Sequence, residues 1–241
     1  MTDKLTLSAT VTYGEVDRHE VMLLTRLFKL LQEAAILHAN QFGTGTGAIF
    51  SRGETWVLNR IAVELARYPR YGETLRLETW SSGIRGFRGY RDFRLYDAEE
   101  NCLLRGSSIW IYLSVATKTI TRVPADVADT FPVGAESAAF PDLERLGFAA
   151  PSTAALKAAV SLRYADFDVN EHVNNAAYLD FVQTALAAAG LAVHPRRLRL
   201  KYAKAIPPAT GQVEIRLEPV AGEVRFSVER DGVVFAQGAA G

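Results

Sequence analysis

The chain has 241 residues, 49% of them hydrophobic and 22% charged, and its 27 basic and 27 acidic side chains cancel to zero net charge. This is the composition of a globular protein large enough to bury its own core, and it excludes disorder and any sequence-wide attraction to nucleic acid or anionic membrane. A single cysteine, Cys102, excludes a disulfide framework and a cysteine-ligated zinc site.

In chain order, residues 5–13 alternate as a strand. Residues 21–39 carry Leu23, Leu24, Leu27, Leu30, Leu31, Ala34 and Ala35 at helical spacing, with Arg26, Lys29, Gln32 and Glu33 between them. That spacing predicts a half-buried amphipathic helix, closed by a flexible loop at 43–47. Strands are expected at 56–67, 73–80, 90–97, 103–115 and 119–123, with a hairpin connection at 97–101. Prolines at 124, 132, 141 and 151 then mark a change of character. The layout implies a first domain over 1–130, a linker over 131–157 and a second domain over 158–241.

The second stretch repeats the order of the first. A strand is expected at 161–164, a helix at 174–189, and strands at 198–203, 212–217, 223–229 and 233–238. Asp17, Glu20 and Gln32 lie 151 positions before Asp168, Glu171 and Gln183, and residues 60–67 align with 197–204. An internal duplication is the economical reading, and the fold class is α+β. The longest apolar run, 185–193, is too short to span a bilayer, and the first ten residues hold no signal core. The expected setting is cytoplasmic.

No nucleophile elbow, phosphate-binding loop or H-E-x-x-H motif is present, and the glycines at 43, 45 and 47 lack the spacing of a dinucleotide site. Cys102 opens a strand and reads as structural. The one dense polar constellation is Asp168, Asn170, His172, Asn174 and Asn175, between a strand and an apolar helix. Helix capping explains one or two of these residues. Alternation in extended chain would point Asp168, Asn170 and His172 the same way. A carboxylate and an imidazole can deprotonate water, and a helix N-terminus suits an oxygen gaining negative charge. Water attack on an activated acyl group such as a thioester fits these groups.

The segment D-x-D-x-N-x-H-V-N-N over 166–175, followed by Tyr178, resembles the acyl-acyl carrier protein (acyl-ACP) thioesterases. So do L-Q-E-A-A-x-L-H-A (31–39), W-V-L-x-R (56–60), R-Y-P-R-Y-G-E (67–73) and Y-R-D-F-R-x-Y-D (90–97). The resemblance runs from about residue 5 to 235. It implies a tandem (double) hot-dog, two antiparallel sheets each wrapped on a long helix, with the acyl pocket shaped by the first half. It implies catalytic Asp168, Asn170 and His172, substrate contacts at Asn174, Asn175 and Tyr178, and no cofactor or metal. The implied partner is an acyl carrier protein bearing a fatty acyl chain, with no nucleic acid or membrane, and fused halves either act alone or pair as a homodimer. The family's acidic residue on the next strand falls at Ala205, and no acid occurs between 191 and 212. Hydrolysis of acyl-CoA and non-catalytic acyl binding therefore stand as alternatives. Two basic groups, Arg196, Arg197, Arg199, Lys201 and Lys204, and Arg85, Arg88, Arg91 and Arg94, read either as solvated strand faces or as a docking patch for an acidic carrier.

Overall fold

Strand alternation and one long apolar stripe are repeated twice along the chain, and each repeat folds on itself. The computed structural model describes residues 3–152 and 155–241, which divide into two compact units, one of residues up to 22 with 29–145, the other of 23–28 with 146–241. In the first part lie β1 (Lys4–Thr10), α1 (Leu24–Gln41), α2 (Thr46–Phe50), β2 (Glu54–Leu65), β3 (Thr74–Arg85), β4 (Arg88–Tyr96), β5 (Cys102–Ser114) and α3 (Ala125–Thr130). Its sheet runs β1-β3-β4-β5-β2, with every pairing antiparallel. Leu24, Leu27, Leu31, Ala34 and Ala35 are buried along α1, as its spacing requires.

The second part holds β6 (Leu156–Ser161), α4 (Ala177–Ala188), β7 (Arg197–Tyr202), β8 (Gln212–Val220), β9 (Glu223–Arg230) and β10 (Val233–Ala240). Its sheet order is β6-β8-β9-β10-β7, again antiparallel throughout. Element for element this is the path of the first sheet. Leu198, Leu200 and Tyr202 of β7 and Val213, Ile215 and Leu217 of β8 supply the buried face, and α4 packs on β6, β8 and β9. Each unit is a hot-dog, and the chain is a tandem of two. Among the described residues, no helix is long and apolar enough to cross a membrane.

Three sequence expectations change. Residues 119–123 form no strand; Ile120 makes an isolated bridge to Leu113, while Val123 packs with Ile49, Tyr112 and Val127. The strand expected at 161–164 lies earlier, in β6, and Tyr164–Asp166 is a 3-10 turn. The end of the loop expected at 43–47 starts α2. The linker segment is hydrogen-bonded along its length: Ala139 N–H donates to Asp92 Oδ1 at 2.8 Å in the first unit, and Gln237 Nε2 donates to the Phe148 carbonyl at 2.8 Å in the second. Proline interrupts the periodicity there, but the backbone still finds partners on the adjoining sheets.

The basic groups also resolve differently. Arg85 lies over Tyr90, Arg88 pairs with Glu144 and Arg94 lies near Trp80, but Arg91 is buried. Its Nη1 is 3.0 Å from His38 Nδ1 and donates to Thr79 Oγ1 at 3.1 Å, with the guanidinium over Phe131. On β7, Arg197, Arg199 and Lys201 point away from the buried side, and Arg199 pairs with Glu223. The group at 85–94 is not one continuous patch, because Arg91 leaves the surface.

His38 is fully buried, and burial together with the Arg91 charge pulls its pKa down to about 4. As pH falls from about 6.5 to 4, the unfolded chain takes up a proton that the folded chain refuses, so stability is lost across that window, by up to about 3 kcal/mol. Denaturant unfolding between pH 7 and 4 should show a shallower loss in His38→Gln than in the parent; equal slopes would refute the assignment.

Candidate active site in the second unit

Asp166 is 2% exposed, and a carboxylate so placed needs compensation. Its Oδ2 accepts the Arg163 main-chain N–H at 2.7 Å, and its Oδ1 accepts Arg163 Nη2 at 2.8 Å. The same guanidinium reaches Asp180 on α4, and the two carboxylates raise the Arg163 pKa. Meanwhile the Asp166 carbonyl accepts the Asn174 N–H at 2.8 Å. The chain on both sides of the polar constellation is thereby fixed to one buried residue.

Between those points the backbone doubles back. Phe167 and Val173 form an antiparallel bridge, Asp168 N–H donates to the His172 carbonyl at 3.0 Å, and Glu171 N–H donates to the Asp168 carbonyl at 3.0 Å. Glu171 takes a left-handed φ of +58°, a conformation that costs a non-glycine residue about 1 kcal/mol. So Asp168, Asn170 and His172 are gathered by a tight turn, not by alternation along an extended strand. That corrects the geometric reason for grouping them.

Side chains complete the turn. Asp168 Oδ1 accepts Asn170 N–H at 2.9 Å, and its Oδ2 accepts Asn174 Nδ2 at 3.3 Å. Asn174 Oδ1 in turn accepts Ala176 N–H at 2.9 Å, leading the chain into α4. Asn170 is exposed, while Asp168, His172, Asn174 and Asn175 are half-buried around the positive end of the α4 dipole. Tyr178 is different. It is 1% exposed, and its hydroxyl donates to the Lys204 carbonyl at 3.3 Å, so it lies in the core behind the turn. Among the described residues, no group of three or more His, Cys, Asp and Glu side chains converges as a metal ion would need.

The first unit contains the same turn 151 positions earlier. Val16 and Met22 form the bridge, Asp17 N–H donates to the Val21 carbonyl at 2.9 Å, and Glu20 N–H donates to the Asp17 carbonyl at 3.0 Å. Glu20 has φ of +60°, and Tyr13–Glu15 repeats the 3-10 turn. Asp17 Oδ1 accepts the N–H groups of His19 at 2.8 Å and Val21 at 3.1 Å. An aspartate here is thus part of the frame in both units. What the second copy of the turn adds is Asn170, His172 and Asn174, where the first copy has His19, Val21 and Leu23. Sequence reading missed Arg163 and Tyr202; the latter was visible as a tyrosine aligned with Leu65.

Two family models match the chain, the acyl-ACP thioesterase N-terminal domain over residues 3–131 and the C-terminal domain over 150–232. The chain belongs to the acyl-ACP thioesterase family. It is 29% identical over 181 residues to the chloroplastic palmitoyl-acyl carrier protein thioesterase of Gossypium hirsutum, covering 70% of this chain and 43% of that protein. It is 30% identical over 203 residues to the chloroplastic oleoyl-acyl carrier protein thioesterase of Coriandrum sativum, covering 75% and 53%. The chain spans about half the length of the curated relatives it matches. Among solved structures, the 12:0-ACP thioesterase of Umbellularia californica superposes with a TM-score of 0.86 at 20% identity, over 100% of this chain and 97% of that one. That likeness bears out the tandem hot-dog of this acyl-ACP thioesterase family member.

Since Asp17 and Asp168 hold equivalent turns, Asp17→Ala and Asp168→Ala should destabilise by similar amounts, about 1–2 kcal/mol each. Chemical denaturation of both variants checks this, and a large cost for one alone would break the equivalence.

Proposed function

We propose that this chain hydrolyses the thioester of a fatty acyl group carried on acyl carrier protein, releasing free fatty acid and the carrier thiol. The observation that carries the reading is the addition of Asn170, His172 and Asn174 to a turn that the first unit keeps without them. Family membership supplies the substrate class. The relatives are named for palmitoyl and oleoyl carriers, and a fatty acyl chain is the corresponding substrate here.

In the reaction, water adds to the thioester carbonyl carbon. Asp168, oriented through Asn174 and the Asn170 N–H, takes the proton from the attacking water, and His172 shares in its transfer. The carbonyl oxygen gains charge beside the α4 N-terminus, where the helix dipole favours it. Collapse of the tetrahedral species breaks the carbon–sulfur bond, and the proton ends on the departing sulfur. Asn170, exposed at the tip of the turn, holds the water or the substrate carbonyl.

Ala205 is exposed in the chain following β7 and brings no carboxylate, so this scheme assigns the base to Asp168 alone. The free, exposed Cys102 is in keeping with a reducing, cytoplasmic setting.

The test is thiol release from matched acyl-ACP and acyl-CoA substrates. Acyl-ACP should be preferred, and His172→Ala or Asp168→Ala should lower turnover about 100-fold or more, the scale of a lost acid or base. Asp17→Ala should leave turnover at the parental level. Release from acyl-CoA alone would change the substrate, and parental turnover in both site variants would remove the assignment. Ala205→Glu should raise kcat if a second carboxylate limits the rate.

A further inference from the structure

Two tyrosines beside the turn have apolar counterparts in the duplicated sequence. The offset that aligns the turns pairs Tyr178 with Leu27, and the strand alignment pairs Tyr202 with Leu65. Backbone hydrogen bonds repeat on the same correspondence. Arg26 N–H donates to the Leu23 carbonyl as Ala177 N–H does to that of Asn174, and Ala66 N–H donates to the Leu103 carbonyl as Ala203 N–H does to that of Phe235. Met22 N–H donates to the Pro69 carbonyl as Val173 N–H does to that of Ile206. Leu27 and Leu65 are buried, as the tyrosines are. A leucine therefore satisfies packing at either position, and a tyrosine adds a hydroxyl that must be partnered out of water.

Both hydroxyls go to backbone that carries the site. Tyr202 Oη donates to the Asn175 carbonyl at 2.7 Å. That carbonyl is drawn out of the helical ladder, and Leu179 N–H bonds to the Ala176 carbonyl instead. The Tyr178 hydroxyl donates to the Lys204 carbonyl at 3.3 Å, two residues before Ile206. The Ile206 carbonyl then accepts the N–H of Val173, the residue after His172, at 3.0 Å. The two rings meet edge to face with centroids 5.2 Å apart, so neither shifts without the other.

We infer that Tyr178 and Tyr202 are positioning residues for the hydrolysis: their hydroxyls fix the backbone after His172 and at the entry to α4, and neither contacts substrate. This rests on reading the 168–175 turn as the reacting centre. It moves Tyr178 from the substrate contacts implied by family resemblance to the support behind them.

The experiment compares Tyr178→Phe and Tyr202→Phe with the parent in steady-state acyl-ACP hydrolysis, thermal unfolding and amide hydrogen exchange. Each variant should lose about tenfold or more in kcat with KM within about twofold, as expected when reacting groups are slightly misplaced. Its melting temperature should stay near the parental value, and exchange should rise selectively at Val173 and Ala176. Tyr178→Leu and Tyr202→Leu, which copy the first unit, serve if a phenylalanine variant fails to fold. A raised KM with parental kcat makes the tyrosine a substrate contact and overturns the inference. Global loss of protection and melting temperature makes it a packing residue and also overturns it. Should the parent release no thiol from any acyl-ACP, the proposed function fails, and exchange alone decides: a selective rise upholds positioning, and unchanged exchange refutes it.

Discussion

One carboxylate removed from water, that of Asp166, constrains everything at the site. A buried negative charge is tolerable only with close, well-directed donors, and here Arg163 supplies them from both its main chain and its guanidinium. The Asp166 carbonyl also receives the Asn174 N–H, so the residue before the turn is bonded directly to the one after it. The guanidinium's second contact, to Asp180, carries the same constraint into α4. The turn is short enough that its backbone has little freedom left once both ends are held.

The duplicated turn separates frame from chemistry. Bridge, left-handed glutamate and aspartate-centred hydrogen bonds occur in both units, so none of them sets the proposed site apart from its counterpart. The differences lie in the side chains. An imidazole replaces the Val21 isopropyl group, amides replace His19 and Leu23, and two phenols stand where Leu27 and Leu65 provide plain packing. A single copy would have left Asp168 looking like the most diagnostic member of the group. Seen beside Asp17, it is the member with a structural duty of its own.

Much of this was legible in the sequence because it rests on local patterns. Helical spacing located α1 and α4, alternation located β2 to β5 and β7 to β10, and the 151-residue offset anticipated a repeat that backbone hydrogen bonds follow closely. What could not be read were features set by long-range partners. Arg91 sits in an arginine-rich stretch indistinguishable from a solvated face until His38 and Thr79 are seen around it. Residues 119–123 have strand-forming side chains, but Ile120 alone reaches a bridge. The turn at 168–172 reads as extended chain in the sequence because a left-handed glutamate leaves no sign in composition.

The paired turns give the molecule an internal reference. Glu20 and Glu171 share a backbone conformation, and Asp17 and Asp168 share a hydrogen-bonding duty, yet only one copy carries the imidazole and amides of the proposed site. A solvent, salt or temperature effect on the turn as such is therefore written twice in the spectrum of a single chain. An effect on the reacting groups is written once. The difference between the two copies isolates the chemistry without a second protein for comparison.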